Sequence, residues 1–314
     1  MTGTLAAMPI RVLWVLKGLG PGGAERLLVE AANTHDHDAF SIDCAYVLPW
    51  KDHLAEDLER AGVHTVCLSE HRSGRGWTKA LRRLIRTGDY DVVHVHSPLP
   101  GSVARLAVRG MKAAERPAVM STEHNTWGTH RLPTRWANRL TGRWDAAVLA
   151  VTAEAKASMS GPAAARAEVL AHGIDVGRVR ALRSERAAVR AEFGVPDDVV
   201  AIGTVANFRE QKDYPNLLAA ARLLADQGVP FRVIAVGQGP QEAEIRAECT
   251  RLGLDDVVTL TGFRADATRV MAGCDVFTMA SKWEGLPVAL MEALALGLPV
   301  VATAVGGIAE TLHD

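Results

Sequence analysis

The stretch Ile10-Arg11-Val12-Leu13-Trp14-Val15-Leu16 leads through Lys17 into Gly18-Leu19-Gly20-Pro21-Gly22-Gly23-Ala24-Glu25, and a helical pattern continues from about Ala24 to Asn33. A short apolar run, a glycine turn and a segment of helical period make the first half of a βαβ unit. The alternation recurs, with strands expected at Ile42–Leu48, His64–Leu68, Val92–His96, Ala118–Thr122 and Ala146–Val151. A helical, charge-mixed piece from Val176 to Gly194 and the turn Pro196-Asp197-Asp198 interrupt it. It restarts with expected strands at Val199–Val205, Arg232–Val236, Val257–Thr261, Val276–Met279 and Val300–Thr303. Continuously apolar strands are buried on both faces, as in a parallel sheet covered by helices. The pattern implies an α/β fold of two doubly wound domains, residues 1–172 and 173–314. The second ends after about five strands and is expected to be incomplete at its C-terminus.

Composition fits this division. At 314 residues, about two domains are expected. The balance of 35 basic and 36 acidic residues excludes a generally basic nucleic-acid binder. Cys44, Cys67, Cys249 and Cys274 form no Cys-x-x-Cys pair, so a zinc ribbon is not written and a reducing cytoplasm is expected. No apolar run reaches the roughly eighteen residues of a membrane span. The start of the chain also lacks the basic and apolar regions of a signal peptide.

Charge divides unevenly, with 21 basic against 17 acidic residues over 1–172 and 14 against 19 over 173–314. Arg72–Gly88 carries six basic residues and no acid, with Lys79, Arg82, Arg83 and Arg86 on one helical face and Trp77, Leu81, Leu84 and Ile85 on another. Trp127–Trp144, also acid-free, has Arg131, Arg135, Arg139 and Arg143 at spacing four beside Trp136 and Leu140. Each reads either as a solvated helix face or as peripheral contact with an anionic membrane.

Gly18, Gly20 and Gly23 satisfy G-x-G-x-x-G, but the second expected strand ends Val47-Leu48-Pro49-Trp50 without the acid that holds a dinucleotide ribose, and Asp43 falls near its start. Ligands of such sheets bind outside the carboxyl ends of the strands. Arg209 and Lys212, after Val205, are placed there to neutralise a diphosphate. Gly237-Gln238-Gly239-Pro240 and Gly262-Phe263-Arg264 follow the next two strands on the same edge. Isolated glycine pairs also mark plain tight turns. The densest element is Ser281 to Ala293, with Glu284 in a loop, Gly285 and Leu286 offering amides at a helix start, and Glu292 two turns along. Asp89-Tyr90-Asp91 precedes an expected strand, at the edge away from such a site. His94 and His96 share one strand face, and two histidines alone do not fill a zinc site, so an acceptor-side or structural role is expected for them.

On these residues the chain resembles the retaining glycosyltransferases of family 4, which have the GT-B architecture of two Rossmann-like domains facing a cleft. The resemblance runs through Gly22-Gly23-Ala24-Glu25, His172-Gly173-Ile174-Asp175, Gln211-Lys212, Gly237-Gln238-Gly239, Gly262-Phe263 and the two glutamates of EGLPVALMEALALGLPVVAT, Glu284 and Glu292. It implies an acceptor-side first domain and a nucleotide-sugar-binding second one. Gly22 and Gly23 would face the donor diphosphate and Lys212 would bind its phosphates. Gly285 and Leu286 would offer amides to them, and Phe263 and Arg264 would border the base. Glu284 would contact the donor sugar near the reacting carbon, Glu292 would hold the ribose, and His124 would lie against the transferred sugar. Aligned on Gln211-Lys212, Ala206 and Asn207 stand where the family usually has Gly-Arg, which leaves Arg209 to supply the guanidinium.

The implied reaction is metal-independent, retaining transfer from a nucleotide diphosphate sugar to a glycan or lipid-linked hydroxyl acceptor in cell-envelope or other glycan biosynthesis, with no further cofactor. The implied setting is cytoplasmic, including the inner face of the membrane. The alternatives are a sugar-nucleotide epimerase of the same architecture and a donor-binding fragment without turnover.

Overall fold

The computed structural model describes residues 8–69, 71 and 76–312, so Arg72 and Arg75 of the first basic stretch lie outside the described residues. The chain divides between His172 and Gly173 into two units.

In the first unit, β1 (Ile10–Leu16), β2 (Phe40–Tyr46), β3 (His64–Cys67), β4 (Val92–Val95), β5 (Ala118–Glu123), β6 (Ala147–Ala150) and β7 (Ala167–Val169) form one sheet in the order β3-β2-β1-β4-β5-β6-β7. Every pairing is parallel. Alternation along β1 shows why its sequence is apolar throughout. Leu13 and Val15 enter a core with Leu81, Ile85 and Val93, while Val12, Trp14 and Leu16 enter a second core with Leu28 and Leu58 on the opposite face. The sequence pattern places six of the seven strands. The seventh is a three-residue edge strand, Ala-Glu-Val, too short and too polar to stand out.

Helix Trp77–Thr87 turns Leu81 and Ile85 inward and leaves Lys79, Arg82, Arg83 and Arg86 exposed. Its basic stretch is therefore an ordinary solvated face over a core. Farther along the same side of the sheet lies a buried polar knot. Arg105, on helix Pro98–Arg109, makes two parallel 2.7 Å hydrogen bonds to Asp145 and a third to Asn138 Oδ1, and Ser121 Oγ donates to Asp145 Oδ2 at 2.8 Å.

In the second unit, β8 (Val200–Val205), β9 (Phe231–Val236), β10 (Val258–Gly262), β11 (Val276–Met279) and β12 (Val300–Ala302) form a parallel sheet in the order β10-β9-β8-β11-β12. Asp275 fastens its amino edge. It takes Arg186 and Arg190 as ion-pair partners and accepts a 2.8 Å hydrogen bond from Ala201 N at the start of β8. The carboxyl edge is left to the loops.

Removing one partner of a buried ion pair strands the other charge. Asp145→Ala is therefore expected to destabilise the first unit by about 3–5 kcal/mol. Denaturant unfolding followed by tryptophan fluorescence measures this, because Trp14, Trp50, Trp77, Trp127, Trp136 and Trp144 lie in that unit and only Trp283 in the other.

Candidate functional site

Strand order in the second sheet reverses between β8 and β11, because successive connections from β8 run outward to β9 and β10 and then return to β11 and β12. At such a switch point the loops leaving the two central strands diverge and open a crevice at their carboxyl ends. Lys212 comes from the loop after β8 and Glu284 from the loop after β11, and their side chains form an ion pair. Ser281 Oγ donates to the same Glu284 oxygen at 2.6 Å, and Gln211 Nε2 donates to the other at 3.2 Å. Glu284 is buried, so these three donors fix its carboxylate while water is largely excluded.

Backbone geometry brings the loops together. After Lys212 the chain turns through Asp213 in the left-handed region, φ +46°, which Asp tolerates better than most residues, and helix Tyr214–Asp226 begins. Lys282 N donates to Gln211 O at 2.8 Å, and Gln211 Nε2 also reaches Trp283 O at 3.0 Å. From the β12 side, Thr303 Oγ1 donates to Ser281 O at 2.6 Å and Gly307 N to Gly285 O at 2.8 Å. Arg209 is exposed beside this cluster, and its guanidinium has no partner among the described residues.

Helix Val288–Ala295 starts behind Pro287, so Gly285 and Leu286 are loop residues ahead of its first turn and not part of it, and Glu292 is one turn into the helix where two were expected. The proline explains the late start: its ring favours extended backbone at the preceding residue. Glu292 is buried and its Oε1 accepts a 2.8 Å hydrogen bond from Thr268 Oγ1. Gly237 and Gly239 are demanded by packing. A Cβ on either would stand 2.0 Å from Ala206 O or 2.3 Å from Phe208 O, inside the adjacent loop. Phe263 is exposed after β10. Arg264 faces its own carboxylates, Asp266 at 2.7 Å and Glu192 at 2.7 Å, which raise its guanidinium pKa.

The first sheet reverses between β1 and β4. The glycine loop leaves β1 there, with Gly22 and Gly23 at the start of helix Gly23–Thr34, and a Cβ on Gly18 would stand 2.8 Å from Lys51 Cβ. Asp43 lies mid-strand and accepts a 2.6 Å hydrogen bond from Tyr90 OH, so it is not at the strand end where a ribose would be held. Asp91 accepts from Arg11 N at 2.8 Å, at the amino edge of β4.

Beside the glycine loop lies a histidine group. His96 Nδ1 and His124 Nε2 share a 3.2 Å hydrogen bond, His94 Nε2 meets Thr122 Oγ1 at 2.8 Å, and the His94 and His96 rings stand 4.0 Å apart. Nε2 of His96 is buried and unpartnered among the described residues. Those residues contain no cluster of three His, Cys, Asp or Glu that would hold a metal ion. Burial lowers the pKa of His94 to about 4, that of His124 to about 3, and that of His96 well below its ordinary value, while burial raises Glu123 to about 7.

Ser281 and Thr268 received no role from the sequence. Ser281 had a signal, its place two residues after a central strand, whereas Thr268 had none.

The chain matches known families over most of its length. Residues 21–178 match the family described as Glycosyltransferase Family 4, and residues 185–314 that described as Glycosyl transferases group 1. EpsF of Bacillus subtilis (strain 168) is 29% identical over 305 residues, covering 93% of this chain and 78% of that protein. An Escherichia coli UDP-Gal:alpha-D-GlcNAc-diphosphoundecaprenol alpha-1,3-galactosyltransferase is 23% identical over 301 residues, covering 91% and 77%. The crystal structure of Anabaena Alr3699/HepE in complex with UDP-glucose superposes with TM-score 0.83 at 22% identity, covering 97% of this chain and 83% of that one. The fold is thus the GT-B type with two Rossmann-like domains.

The buried groups set a pH dependence with two opposing signs. The three histidines stay neutral when folded but charge when unfolded, so their contribution is lost as pH falls below about 6.5. Glu123, with its raised pKa, contributes stability below about 4.5 that is lost as pH rises through 7. Near pH 5 the histidines outweigh Glu123, so unfolding takes up protons on balance and stability falls as pH falls. Denaturant midpoints at pH 5, 6 and 7 check this, and equal midpoints would contradict it.

Proposed function

The chain belongs to Glycosyltransferase Family 4, and on that premise we propose that it moves a glycosyl group from a nucleoside diphosphate sugar to a hydroxyl acceptor, with retention at the anomeric carbon. The observation that carries this reading is the Lys212–Glu284 pair at the switch point of the second sheet, with the exposed Arg209 in the same loop as Lys212.

In this reading the bond from the anomeric carbon to the diphosphate oxygen breaks and negative charge builds on the leaving group. Lys212 and Arg209 neutralise it, joined by backbone amides around Gly285 and Leu286, and no metal ion is invoked. The acceptor oxygen bonds to the anomeric carbon on the face the diphosphate leaves, and its proton passes to the departing diphosphate. Glu284, held by Ser281 and Gln211, orients the donor sugar and is not assigned a covalent bond. Glu292 holds the ribose, Phe263 borders the base, and Gly22 and Gly23 face the diphosphate. His124, aligned by His96, lies against the transferred sugar. Arg264, occupied by two carboxylates, acts on the base edge only through the loop it braces.

Two similar proteins support the substrate class: HepE was crystallised with UDP-glucose, and the E. coli relative is named for UDP-Gal and a GlcNAc-diphosphoundecaprenol acceptor. We assign an acceptor of the cell-envelope glycan class, lipid-linked, used at the cytoplasmic face of the membrane. No helix among the described residues is long and apolar enough to cross a membrane.

The test is turnover of UDP-, GDP- and ADP-sugars with lipid-linked and free glycan acceptors. One donor class is expected to release its nucleoside diphosphate only with acceptor present, giving a product of retained anomeric configuration. Glu284→Ala and Lys212→Ala are each expected to lower kcat by about 100-fold or more. Full kcat in Glu284→Ala, an inverted product, or a donor sugar changed without acceptor would overturn the reading, the last pointing to an epimerase.

A further inference from the structure

His96 and His124 leave neighbouring strands of the first sheet at the same edge. His96 follows β4 and His124 follows β5, and these strands run parallel with Val95 opposite Ser121. The backbone at His96 is tied to β1: its N donates to Val15 O at 2.9 Å, and Ser97 Oγ accepts from Lys17 N at 3.0 Å. Its ring is walled by two others. The His94 ring lies 4.0 Å away and the Trp14 ring meets it edge-on at 6.2 Å. Held in this way, His96 turns Nδ1 toward His124 Nε2, 3.2 Å away.

A hydrogen bond between two neutral imidazoles has two forms, and burial keeps both of these rings neutral. Either His96 Nδ1–H donates to a bare His124 Nε2, or His124 Nε2–H donates to a bare His96 Nδ1. A neutral ring carries one proton, so the first form leaves His96 Nε2 bare and the second puts the proton on it. That nitrogen is enclosed and has no partner among the described residues. A buried N–H without an acceptor is a rarer and costlier defect than a buried acceptor short of a donor. The first form is therefore the stable one. It fixes the far side of His124 as well: with Nε2 accepting, the proton of that ring sits on Nδ1. His124 is half-buried, and its Nδ1 is neither enclosed as His96 Nε2 is nor hydrogen-bonded among the described residues. It is the nitrogen open to a ligand.

We propose that His96 is a positioning residue that sets the tautomer of His124, so that His124 presents Nδ1 to the site as an N–H donor and not as an acceptor. The use of this donor rests on the transfer reading, in which it would bind a hydroxyl oxygen of the moving sugar. The tautomer itself stands without that reading.

The experiment is a two-bond proton–nitrogen correlation spectrum of the full chain carrying isotope-labelled histidine, at pH 7 without donor or acceptor. It reads the protonated nitrogen of each ring, and H96N and H124N assign the signals by removing one set each. Both His96 and His124 are expected as Nδ1–H forms in the parent chain. An Nε2–H form of either ring, or a doubly protonated one, would overturn the proposal without touching the transfer reading. H96F removes the donor and is expected to let His124 exchange between its two forms. H96N keeps an N–H near the same place and is expected to hold Nδ1–H. Thermal melts show whether each variant keeps its fold, and the parent spectrum decides even where H96F does not. Unchanged His124 signals in a folded H96F would overturn the proposal. With a donor and acceptor that turn over, kcat/KM is expected to fall about tenfold in H96F, as for one lost hydrogen bond, and to recover in H96N. Equal losses in both would mark His96 as merely structural and overturn its role. Nδ1–H on His124 in a chain that transfers no sugar would support the tautomer and count against the transfer reading alone.

Discussion

The reversal of strand order between β8 and β11 is the constraint on which the second unit depends. The connection from β8 leads toward one edge of the sheet and that from β11 toward the other, and their loops separate over the carboxyl ends. Backbone polar groups exposed in that opening need partners, and the loops supply them by hydrogen-bonding across it, Lys282 to Gln211 and Gln211 to Trp283. The ion pair of Lys212 with Glu284 is a consequence of this stitching. Asp275 completes the design at the other end of the same strands by fixing their amino edge through Arg186 and Arg190. Rigidity at one edge and loop chemistry at the other is the division of labour that lets one sheet hold a ligand site.

The first unit repeats the topology with different chemistry. Its switch point brings the glycine loop of β1 beside His96 at the end of β4, where the second unit has a cation and a carboxylate. Burial keeps His94, His96 and His124 neutral, so each ring is a hydrogen-bond donor at one nitrogen and an acceptor at the other. The single hydrogen bond between His96 and His124 makes their tautomers interdependent. A neutral, oriented imidazole suits contact with sugar hydroxyls, which both donate and accept.

Much of this was legible in the residues. Apolar runs fixed eleven of the strands to within one or two residues, because strands buried on both faces leave an unbroken signal. The edge strand β7 leaves none. Glu284, Lys212 and Glu292 could be placed at a carboxyl edge from their positions after strands, but the sequence had no means of showing that Arg264 spends its charge on Asp266 and Glu192, one of them 72 residues away. Nor could it separate the two basic, Trp-bearing stretches. Leu and Trp at spacing four read alike whether they face a core or solvent, and only the neighbours decide: Leu81 and Ile85 meet a sheet, whereas Trp136 and Leu140 meet none.

In the proposed function the switch point of the second sheet is a nucleoside diphosphate site held by Lys212 and Glu292. Calorimetric titration of the chain with UDP, GDP, ADP and NAD, without added metal, beside Lys212→Ala and Glu292→Ala, tests it most directly. Saturable binding of one nucleoside diphosphate, weakened by both substitutions, is the expected result. Binding of NAD alone, untouched by either substitution, would contradict it and return the ligand site to the glycine loop at Gly18–Gly23.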